Sequence, residues 1–129
     1  MEYKILLVDD EPEIINIVTD LLKDNFPCEI VIANNGIDAF YISIEKVFDL
    51  IITDFRMSES SGSEFINELR EGRWASYQTP VIFFTGYVDD AKSALSSSDN
   101  IFFVDKTKCN DELVSTTKTI LNYFSLRSA

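Results

Sequence analysis

The sequence contains no histidine, and this absence removes several kinds of chemistry at once. Histidine general-base catalysis, Ser-His triads and histidine metal ligands are excluded, because each of them needs an imidazole. A phosphohistidine carried by this chain is excluded for the same reason. Carboxylates, hydroxyls and amino groups remain as the side chains that could carry a reaction.

Cysteine is also scarce, with only Cys28 and Cys109 in the chain. Two cysteines are too few for a disulfide scaffold, and their spacing does not match a metal site. We expect both to be reduced thiols in a cytoplasmic protein. Residues 1–4 lead directly into an apolar run and do not resemble a secretory signal.

Basic residues are few, with 11 lysines and arginines against 22 aspartates and glutamates, which gives a net charge of −11. Nucleic-acid binding needs a basic surface that neutralises phosphates, so this composition argues against a DNA or RNA partner. Most of the acidic surface is typical of a soluble protein. No stretch is apolar for long enough to cross a membrane. The 129 residues suffice for one domain, residues 1–129, with no output domain beside it.

Four short apolar runs are present, and each of them ends at a polar residue. Their valine, isoleucine and phenylalanine content is typical of strands buried on both faces of a parallel sheet. Ligands bind beyond the carboxyl ends of such strands, so we expect the polar residues to share one edge of the sheet. The runs are residues 5–8, 50–53, 81–84 and 101–104, and they precede Asp9 and Asp10, Asp54, Thr85, and Asp105 and Lys106 respectively.

Segments with helical periodicity alternate with the apolar runs. A less apolar segment, residues 29–33, is predicted as a further strand near the edge of the sheet. Five helices are predicted, and the first begins at Pro12. The second covers Ile37 to Lys46, with Ile37, Phe40, Tyr41 and Ile44 at helical spacing. The others are Gly62 to Arg70, a weaker one at residues 88–95, and Asp111 to Tyr123.

This alternation predicts an α/β fold, a flavodoxin-like (βα)5 doubly wound parallel sheet with strand order 2-1-3-4-5. In that order the first and third strands are neighbours, which places Asp9, Asp10 and Asp54 together. Thr85 and Lys106 then approach from the other side.

Three carboxylates placed together repel one another, and one of them stays protonated unless a cation compensates. Magnesium suits such a place, since it prefers hard oxygen ligands and often uses one or two carboxylates plus a phosphate oxygen. Alternatively, the acids after the first strand only stabilise a helix N-terminus, Lys106 is an ordinary ion-pair partner, and Thr85 reflects strand propensity. Complementary chemistry at the ends of four strands favours a site where an aspartate attacks phosphorus, assisted by a metal and a cation.

From about Lys4 to Leu126 the chain resembles the receiver domains of two-component response regulators. The resemblance rests on four pieces of sequence: Asp9-Asp10 after the first strand, Asp54 at the start of Asp-Phe-Arg-Met-Ser-Glu-Ser-Ser-Gly, Thr85-Gly86 after the fourth strand, and Lys106 after the fifth.

The resemblance implies a role for each of these positions. Asp54 would be the phospho-acceptor, Asp10 a direct Mg²⁺ ligand and Asp9 a ligand mostly through water, while Arg56 would offer its backbone carbonyl to the metal. Thr85 would hydrogen-bond the phosphoryl group, Lys106 would pair with it, and Phe103 occupies the place of the switch aromatic.

The resemblance also implies partners. A sensor histidine kinase or a histidine phosphotransfer protein would donate the phosphoryl group, and neither nucleic acid nor a membrane would bind this domain. Phosphorylation would change the face made by the fourth helix, fifth strand and fifth helix, which a downstream protein or an output domain missing from this chain would read. The chain would catalyse only its own phosphorylation and dephosphorylation. From their positions two residues beyond Asp54 and Thr85, Arg56 and Tyr87 are predicted to flank the path of the hydrolytic water. The alternative is that both are simply exposed surface residues.

The chain departs from the family pattern at three places. Ser58 stands where proline usually follows the methionine, and Thr107 stands where proline usually follows the lysine. Because a non-proline cis bond costs about 3 kcal/mol, this argues against a cis peptide after Lys106. Residues 98–100 replace the usual Gly-Ala before the fifth strand.

Other functions remain open at this point. A haloacid-dehalogenase-like phosphohydrolase also forms an aspartyl phosphate, but its nucleophile lies in an Asp-x-Asp pattern that residues 9–11 do not supply. A flavodoxin needs a first loop that accepts phosphate, which these acids would repel. The third alternative is a receiver-like interaction module that is never phosphorylated. Only the presence of all the predicted site residues argues against it.

Overall fold

Strands and helices alternate throughout residues 2–57, 59–108 and 110–128, which the computed structural model describes, with side-chain surroundings up to residue 124. Two predictions fall outside these residues. They are the departure from the family pattern at Ser58 and the reduced thiol of Cys109. The strands are β1 (Tyr3–Val8), β2 (Cys28–Ala33), β3 (Leu50–Thr53), β4 (Val81–Thr85) and β5 (Ile101–Asp105). The helices are α1 (Pro12–Asn25), α2 (Gly36–Glu45), α3 (Gly62–Glu71), α4 (Val88–Ala94) and α5 (Asp111–Ser128).

The strands form a parallel sheet in the order β2-β1-β3-β4-β5, which confirms the predicted topology. β2 lies at one edge, as its lower apolar content predicted. In the register of the sheet, Val8 pairs with Thr53, and Thr85 pairs with Asp105. The carboxyl ends of the strands are therefore level with one another, and the residues that follow them emerge at one edge.

Two apolar clusters cover the two faces of the sheet, because successive strand residues point to opposite sides. One cluster joins the sheet to α1 and α5, and the other joins it to α2, α3 and α4. All residues of β3 and β4 are buried, as their continuous apolar composition predicted. Within the described residues, no helix has the length and hydropathy that a membrane span would require.

Short polar segments start the helices at the carboxyl edge. Pro12 occupies the first turn of α1 after Glu11, where its missing N–H costs nothing. Asn35 accepts the Asp38 N–H at 2.8 Å and caps α2. The Ser61 hydroxyl accepts a hydrogen bond from the Glu64 N–H at 3.1 Å, and the Glu64 carboxylate accepts one from the Ser61 N–H. This reciprocal pair is a capping box, and it starts α3.

The segment between α3 and β4 is fixed by polar contacts. The Arg70 guanidinium donates to the carbonyl oxygens of Tyr77 and Thr79, each at 2.7 Å. The Ser76 hydroxyl donates to the Lys46 carbonyl and accepts the Phe48 N–H at 3.1 Å. The segment is therefore tied both to α3 and to the connection between α2 and β3.

The turn before β5 uses an asparagine where the family pattern has a small-residue pair. Asn100 has φ of 56°, a left-handed conformation that asparagine adopts more readily than most non-glycine residues. The Ile101 N–H donates to the Ser98 carbonyl at 3.3 Å and closes this turn. No described peptide bond is cis, so the bond between Lys106 and Thr107 is trans.

Helix α2 places small residues against the rest of the protein. Gly36, Ala39 and Ser43 are buried, and the Ser43 hydroxyl donates to the Ala39 carbonyl at 2.7 Å. Ile37 and Tyr41, which belong to the apolar stripe that identified the helix, are 45% and 63% exposed. An apolar helical stripe normally faces the core. Here the small residues let α2 approach closely, so Ile37 and Tyr41 remain at the surface while Phe40 and Ile44 are half-buried.

The orientation of α2 predicts opposite outcomes for two substitutions. Ala39→Leu should lower the free energy of unfolding by about 1–3 kcal/mol, because added methylenes have no space in a packed interior. Ile37→Ala should lower it by at most about 1 kcal/mol, whereas a core isoleucine would lose about 2–5 kcal/mol. Urea unfolding followed by circular dichroism measures both values. A larger loss for Ile37→Ala than for Ala39→Leu would contradict the described orientation.

Candidate functional site

The ends of β1 and β3 hold two buried aspartates side by side. The Asp9 N–H donates to the Ala33 carbonyl, and the Asp54 N–H donates to the Val8 carbonyl at 3.0 Å, so the ladder extends to both residues. Only 2% of Asp9 and 4% of Asp54 are exposed. The adjacency of β1 and β3 in the sheet thus places both carboxylates side by side at its carboxyl edge.

A third carboxylate joins them from the start of α1. Oxygens of Asp9, Glu11 and Asp54 all lie within 4.8 Å of one another. Glu11 is exposed, and its N–H donates to Asp9 Oδ1 at 2.9 Å. Asp10 is exposed on the same turn and does not belong to this group of three.

Lys106 supplies a cation to this group from the end of β5. Its Nζ lies 2.7 Å from Asp54 Oδ2, 3.4 Å from Asp9 Oδ2 and 3.6 Å from Glu11 Oε1. The Lys106 N–H donates to the Thr85 carbonyl at 3.2 Å, which fixes the start of the side chain beside β4. Beyond it, Thr107 donates from both its N–H and its hydroxyl to Asp105 Oδ1, at 2.9 and 2.6 Å.

The electrostatics of the site favour a further cation. Burial raises the pKa of Asp9 above its ordinary value, and the charge of Asp54 adds to this, although the Glu11 N–H and Lys106 oppose it. Burial alone would lower the pKa of Lys106, but its hydrogen bond to Asp54 and the charges of the three carboxylates raise it. One ammonium cannot balance three carboxylates. The donors are hard oxygens in a negative site, so these residues fit a magnesium ion.

The backbone around Asp54 is held closely against α3. Asp54 Oδ1 accepts the Phe55 N–H at 2.7 Å, and the Thr53 hydroxyl donates to the Asp54 carbonyl at 2.9 Å. The Gly62 N–H donates to the Phe55 carbonyl at 2.8 Å. A Cβ on Gly62 would overlap the Asp54 carbonyl oxygen. Gly62 therefore positions the aspartate by leaving space for its backbone.

Thr85 lies fully buried at the end of β4, on the side of the site nearer to Lys106. Its Oγ1 accepts the Tyr87 N–H at 3.2 Å. One rim of the site is formed by Arg56, whose Nη2 lies 3.2 Å from Asp90 Oδ2 and whose guanidinium lies 4.1 Å from the centre of the Tyr87 ring. Arg56 and Tyr87, predicted from the sequence to flank one path, are in contact.

Phe103 lies away from the carboxylates, between the sheet and α4. It is half-buried, and its ring stacks on Phe83 with centroids 5.7 Å apart. The Lys92 ammonium lies 5.2 Å from the centre of the Phe103 ring. Its side chain thus contacts the core on one side and α4 on the other.

The structure brings most of the predicted site residues together and adds others. Asp9, Asp54 and Lys106 are in direct contact, with Thr85 on the neighbouring strand. Sequence reasoning did not assign Glu11 or Gly62 to the site. Their only sequence signals were the position of Glu11 directly after Asp9-Asp10 and the single glycine that ends the segment following Asp54. The structure places the predicted residues but does not test their roles. The roles of Asp9, Asp10, Asp54, Thr85, Phe103, Lys106 and the Arg56 carbonyl stay predictions.

Comparison with known proteins gives a consistent result. A family model described as the response regulator receiver domain matches residues 5–118. The transcriptional regulatory protein ZraR of Klebsiella oxytoca is 38% identical over 95 residues, which cover 72% of this chain and 20% of ZraR. The chain thus spans about a fifth of the length of that relative.

Solved structures share the fold. The response regulator TrrA of Thermotoga maritima, solved in complex with Mg²⁺-BeF, is 30% identical, with a TM-score of 0.73 over 93% of this chain and 99% of TrrA. A signal receiver domain of an HD domain-containing protein from Pseudomonas fluorescens gives a TM-score of 0.82 at 21% identity, over 98% of this chain and 93% of the other. At that identity the second likeness concerns the fold alone.

The contact between Gly62 and Asp54 predicts that Gly62→Ala damages the site. The new methyl group must displace the backbone of Asp54 or of α3, so stability should fall by about 1–3 kcal/mol and Lys106 should lose its position near Asp54. Thermal unfolding and Mg²⁺ titration measure the two effects. Gly86→Ala is the matched control, because its Cβ would meet only the Thr107 methyl at an ordinary 3.4 Å. Equal behaviour of the two variants would contradict the role of Gly62.

Proposed function

The chain belongs to the response regulator receiver domain family, and from that membership we propose that Asp54 accepts a phosphoryl group from a phosphohistidine. The donor would be a sensor histidine kinase or a histidine phosphotransfer protein. The observation that supports this proposal is the buried carboxylate of Asp54, 2.7 Å from the Lys106 ammonium and beside two further carboxylates. Receiver domains are not metabolic enzymes, and we propose that this one catalyses only its own phosphorylation and dephosphorylation.

Magnesium is the proposed cofactor. Asp9 and Asp54 would hold it together with Asp10 or Glu11 and the Arg56 carbonyl. When bound, Mg²⁺ would offset the negative charge of the carboxylates and of the incoming phosphoryl group. The similarity to TrrA, which was solved with Mg²⁺-BeF, supports this assignment.

The proposed transfer uses side chains that are already positioned. An oxygen of Asp54 forms a bond to phosphorus while the P–N bond of the donor breaks, and the donor imidazole keeps the electron pair and takes up a proton. Lys106 then pairs with the phosphoryl oxygens. Because the Thr85 Oγ1 accepts the Tyr87 N–H, its own proton is left to donate to a phosphoryl oxygen.

The proposed output is a change on the face made by α4, β5 and α5. Movement of Thr85 toward the phosphoryl group would open space beside β4 into which Phe103 turns. A cavity of about 590 Å³, lined in part by Tyr87, Lys92 and Phe103, lies at this face and supports the proposal. The changed face would bind a downstream protein in the cytoplasm. Alternatively, it would contact an output domain of the kind found in transcriptional regulators.

Phosphorylation of Asp54 is testable by mass spectrometry. Incubation with acetyl phosphate and Mg²⁺ should add one phosphoryl group to the protein, and EDTA should prevent the reaction, because the uncompensated carboxylates repel the donor. Asp54→Asn should gain no phosphoryl group, and the control Asp20→Asn, on the exposed side of α1, should react as the wild type does. Phosphorylation of the Asp54→Asn protein would show that another residue is the acceptor. A wild type that never reacts would oppose the proposal and favour an interaction module that is not phosphorylated.

The rim made by Arg56 and Tyr87 should control the lifetime of the phosphoryl group. Hydrolysis requires a water in line behind the phosphorus, and these stacked side chains restrict its approach. The double variant Arg56→Asn with Tyr87→Ala should therefore shorten the half-life of the phosphorylated protein several-fold, as followed by intact mass after removal of the donor.

A second stacked pair provides the control for this measurement. Arg73 lies over Tyr77 at 5.7 Å, in the segment after α3 rather than beside Asp54. Arg73→Asn with Tyr77→Ala should leave the half-life unchanged. A half-life in the Arg56 and Tyr87 variant that is equal to or longer than that of the wild type would show that these side chains do not shield the site.

A further inference from the structure

An apolar surface remains uncovered on α2, and we call Ile37, Phe40, Tyr41 and Trp74 the α2 surface. Phe40 lies at its centre and makes edge contacts with Tyr41 and Trp74, with ring centroids 5.9 and 5.6 Å apart. Ile37, Tyr41 and Trp74 are 45%, 63% and 38% exposed. The other side of α2 packs against the protein through Gly36, Ala39 and Ser43, and Phe40 is half-buried against the same core, so Ile37 and Tyr41 are the apolar residues of α2 that remain exposed.

The backbone holds the α2 surface in place. The N–H groups of Ala75 and Ser76 donate to the carbonyls of Ile44 and Ser43, at 3.3 and 3.1 Å, and this attaches the segment carrying Trp74 to α2. The indole lies against Gly72 so closely that a Cβ there would overlap it. Aromatic side chains that are fixed before binding lose little entropy when a partner covers them.

A groove beside the α2 surface offers space for an inserted side chain. It has a volume of about 300 Å³ and lies between α2, α3 and the loop that carries Asp54. Phe65 is fully buried and forms part of its lining, together with Ile37 and Tyr41, while Ser60 and Glu68 provide its polar lining. The groove therefore suits an apolar side chain whose neighbours can reach the acidic rim.

Charge around the α2 surface identifies the chemistry of the occupant. The exposed acids of α2 and α3 are Asp38, Glu45, Glu64, Glu68 and Glu71. Of the nearby basic residues, Arg70 is turned inward to the Tyr77 and Thr79 carbonyls, while Lys46 at the end of α2 and Arg73 over Tyr77 are exposed, so the acids outnumber the exposed cations. A second copy of this chain would bring acid against acid in a protein of net charge −11, whereas a basic partner is complementary.

We propose that the α2 surface docks an amphipathic helix of a partner protein, with lysine or arginine residues flanking its apolar face. Ile37 lies one turn before Phe40 and Tyr41 along α2, which matches apolar anchors at helical spacing on the partner. One large apolar side chain of the partner helix enters the groove, and Trp74 packs over the next apolar side chain of that helix. Binding at this surface does not require the chemistry at Asp54.

The single tryptophan makes the proposal measurable, because Trp74 is the only one in the chain. The probe is a synthetic helical peptide with leucines at positions i, i+3, i+4 and i+7 and lysines elsewhere. A second peptide keeps the leucines and carries glutamates instead. At physiological salt, without a phosphodonor, the lysine peptide should shift Trp74 emission to shorter wavelength along a saturable curve, and the glutamate peptide should not.

Matched variants locate the site of binding. Ile37→Ser and Tyr41→Ser should weaken binding of the lysine peptide by about tenfold or more, since each removes an anchor contact. Ile17→Ser makes the same change at a residue 49% exposed on α1, across the sheet, and should leave the affinity unchanged. Circular dichroism confirms that each variant is folded.

Several results would overturn the proposal. They are the absence of saturable binding by the lysine peptide, equal binding of both peptides, and a loss with Ile17→Ser as large as that with Ile37→Ser. A dimer in sedimentation that Ile37→Ser dissociates would instead identify a second copy of the chain as the occupant.

Discussion

Repulsion among the carboxylates of Asp9, Glu11 and Asp54 is the constraint around which this structure is arranged. Like charges within 4.8 Å of one another are unfavourable, and two of these side chains are buried, where water cannot screen them. The fold accommodates them by bringing Lys106 from the outer strand β5 and by giving Asp54 a backbone N–H from Phe55. The negative charge that Lys106 and this N–H leave uncompensated makes the site favourable for a further cation.

Most of the fold could be predicted because the strands are buried on both faces. Runs such as residues 50–53 and 81–84 are short, rich in isoleucine and phenylalanine and without polar alternation, which is typical of interior strands of a covered sheet. The helical segments between them favour parallel crossovers. The placement of Asp9, Asp54, Thr85 and Lys106 at one edge follows directly from that topology. Strand ends are level in a parallel sheet, so the residues after them are close in space even when they are distant in sequence.

The remaining features depend on distances that a sequence pattern does not contain. The periodicity of Ile37, Phe40 and Tyr41 identifies α2 but not the side it turns inward, which was decided by the close approach that Gly36, Ala39 and Ser43 permit. Likewise, consecutive acids after β1 look equivalent in sequence. Only the path of the turn into α1 shows that Glu11, not Asp10, joins Asp9 and Asp54 in one cluster.

The sequence separation between Lys106 and its partners also determines when, during synthesis of the chain, the site can form. Lys106 and Asp9 are separated by 97 residues, and Lys106 directly follows β5, the last of the five strands of this sheet in chain order. A nascent chain that has already exposed Asp54 still lacks the cation that stabilises it, and a nick or premature stop before β5 has the same effect. The carboxylate cluster therefore gains its ammonium only when the domain has been synthesised almost to its end, and shorter chains leave Asp9 and Asp54 uncompensated.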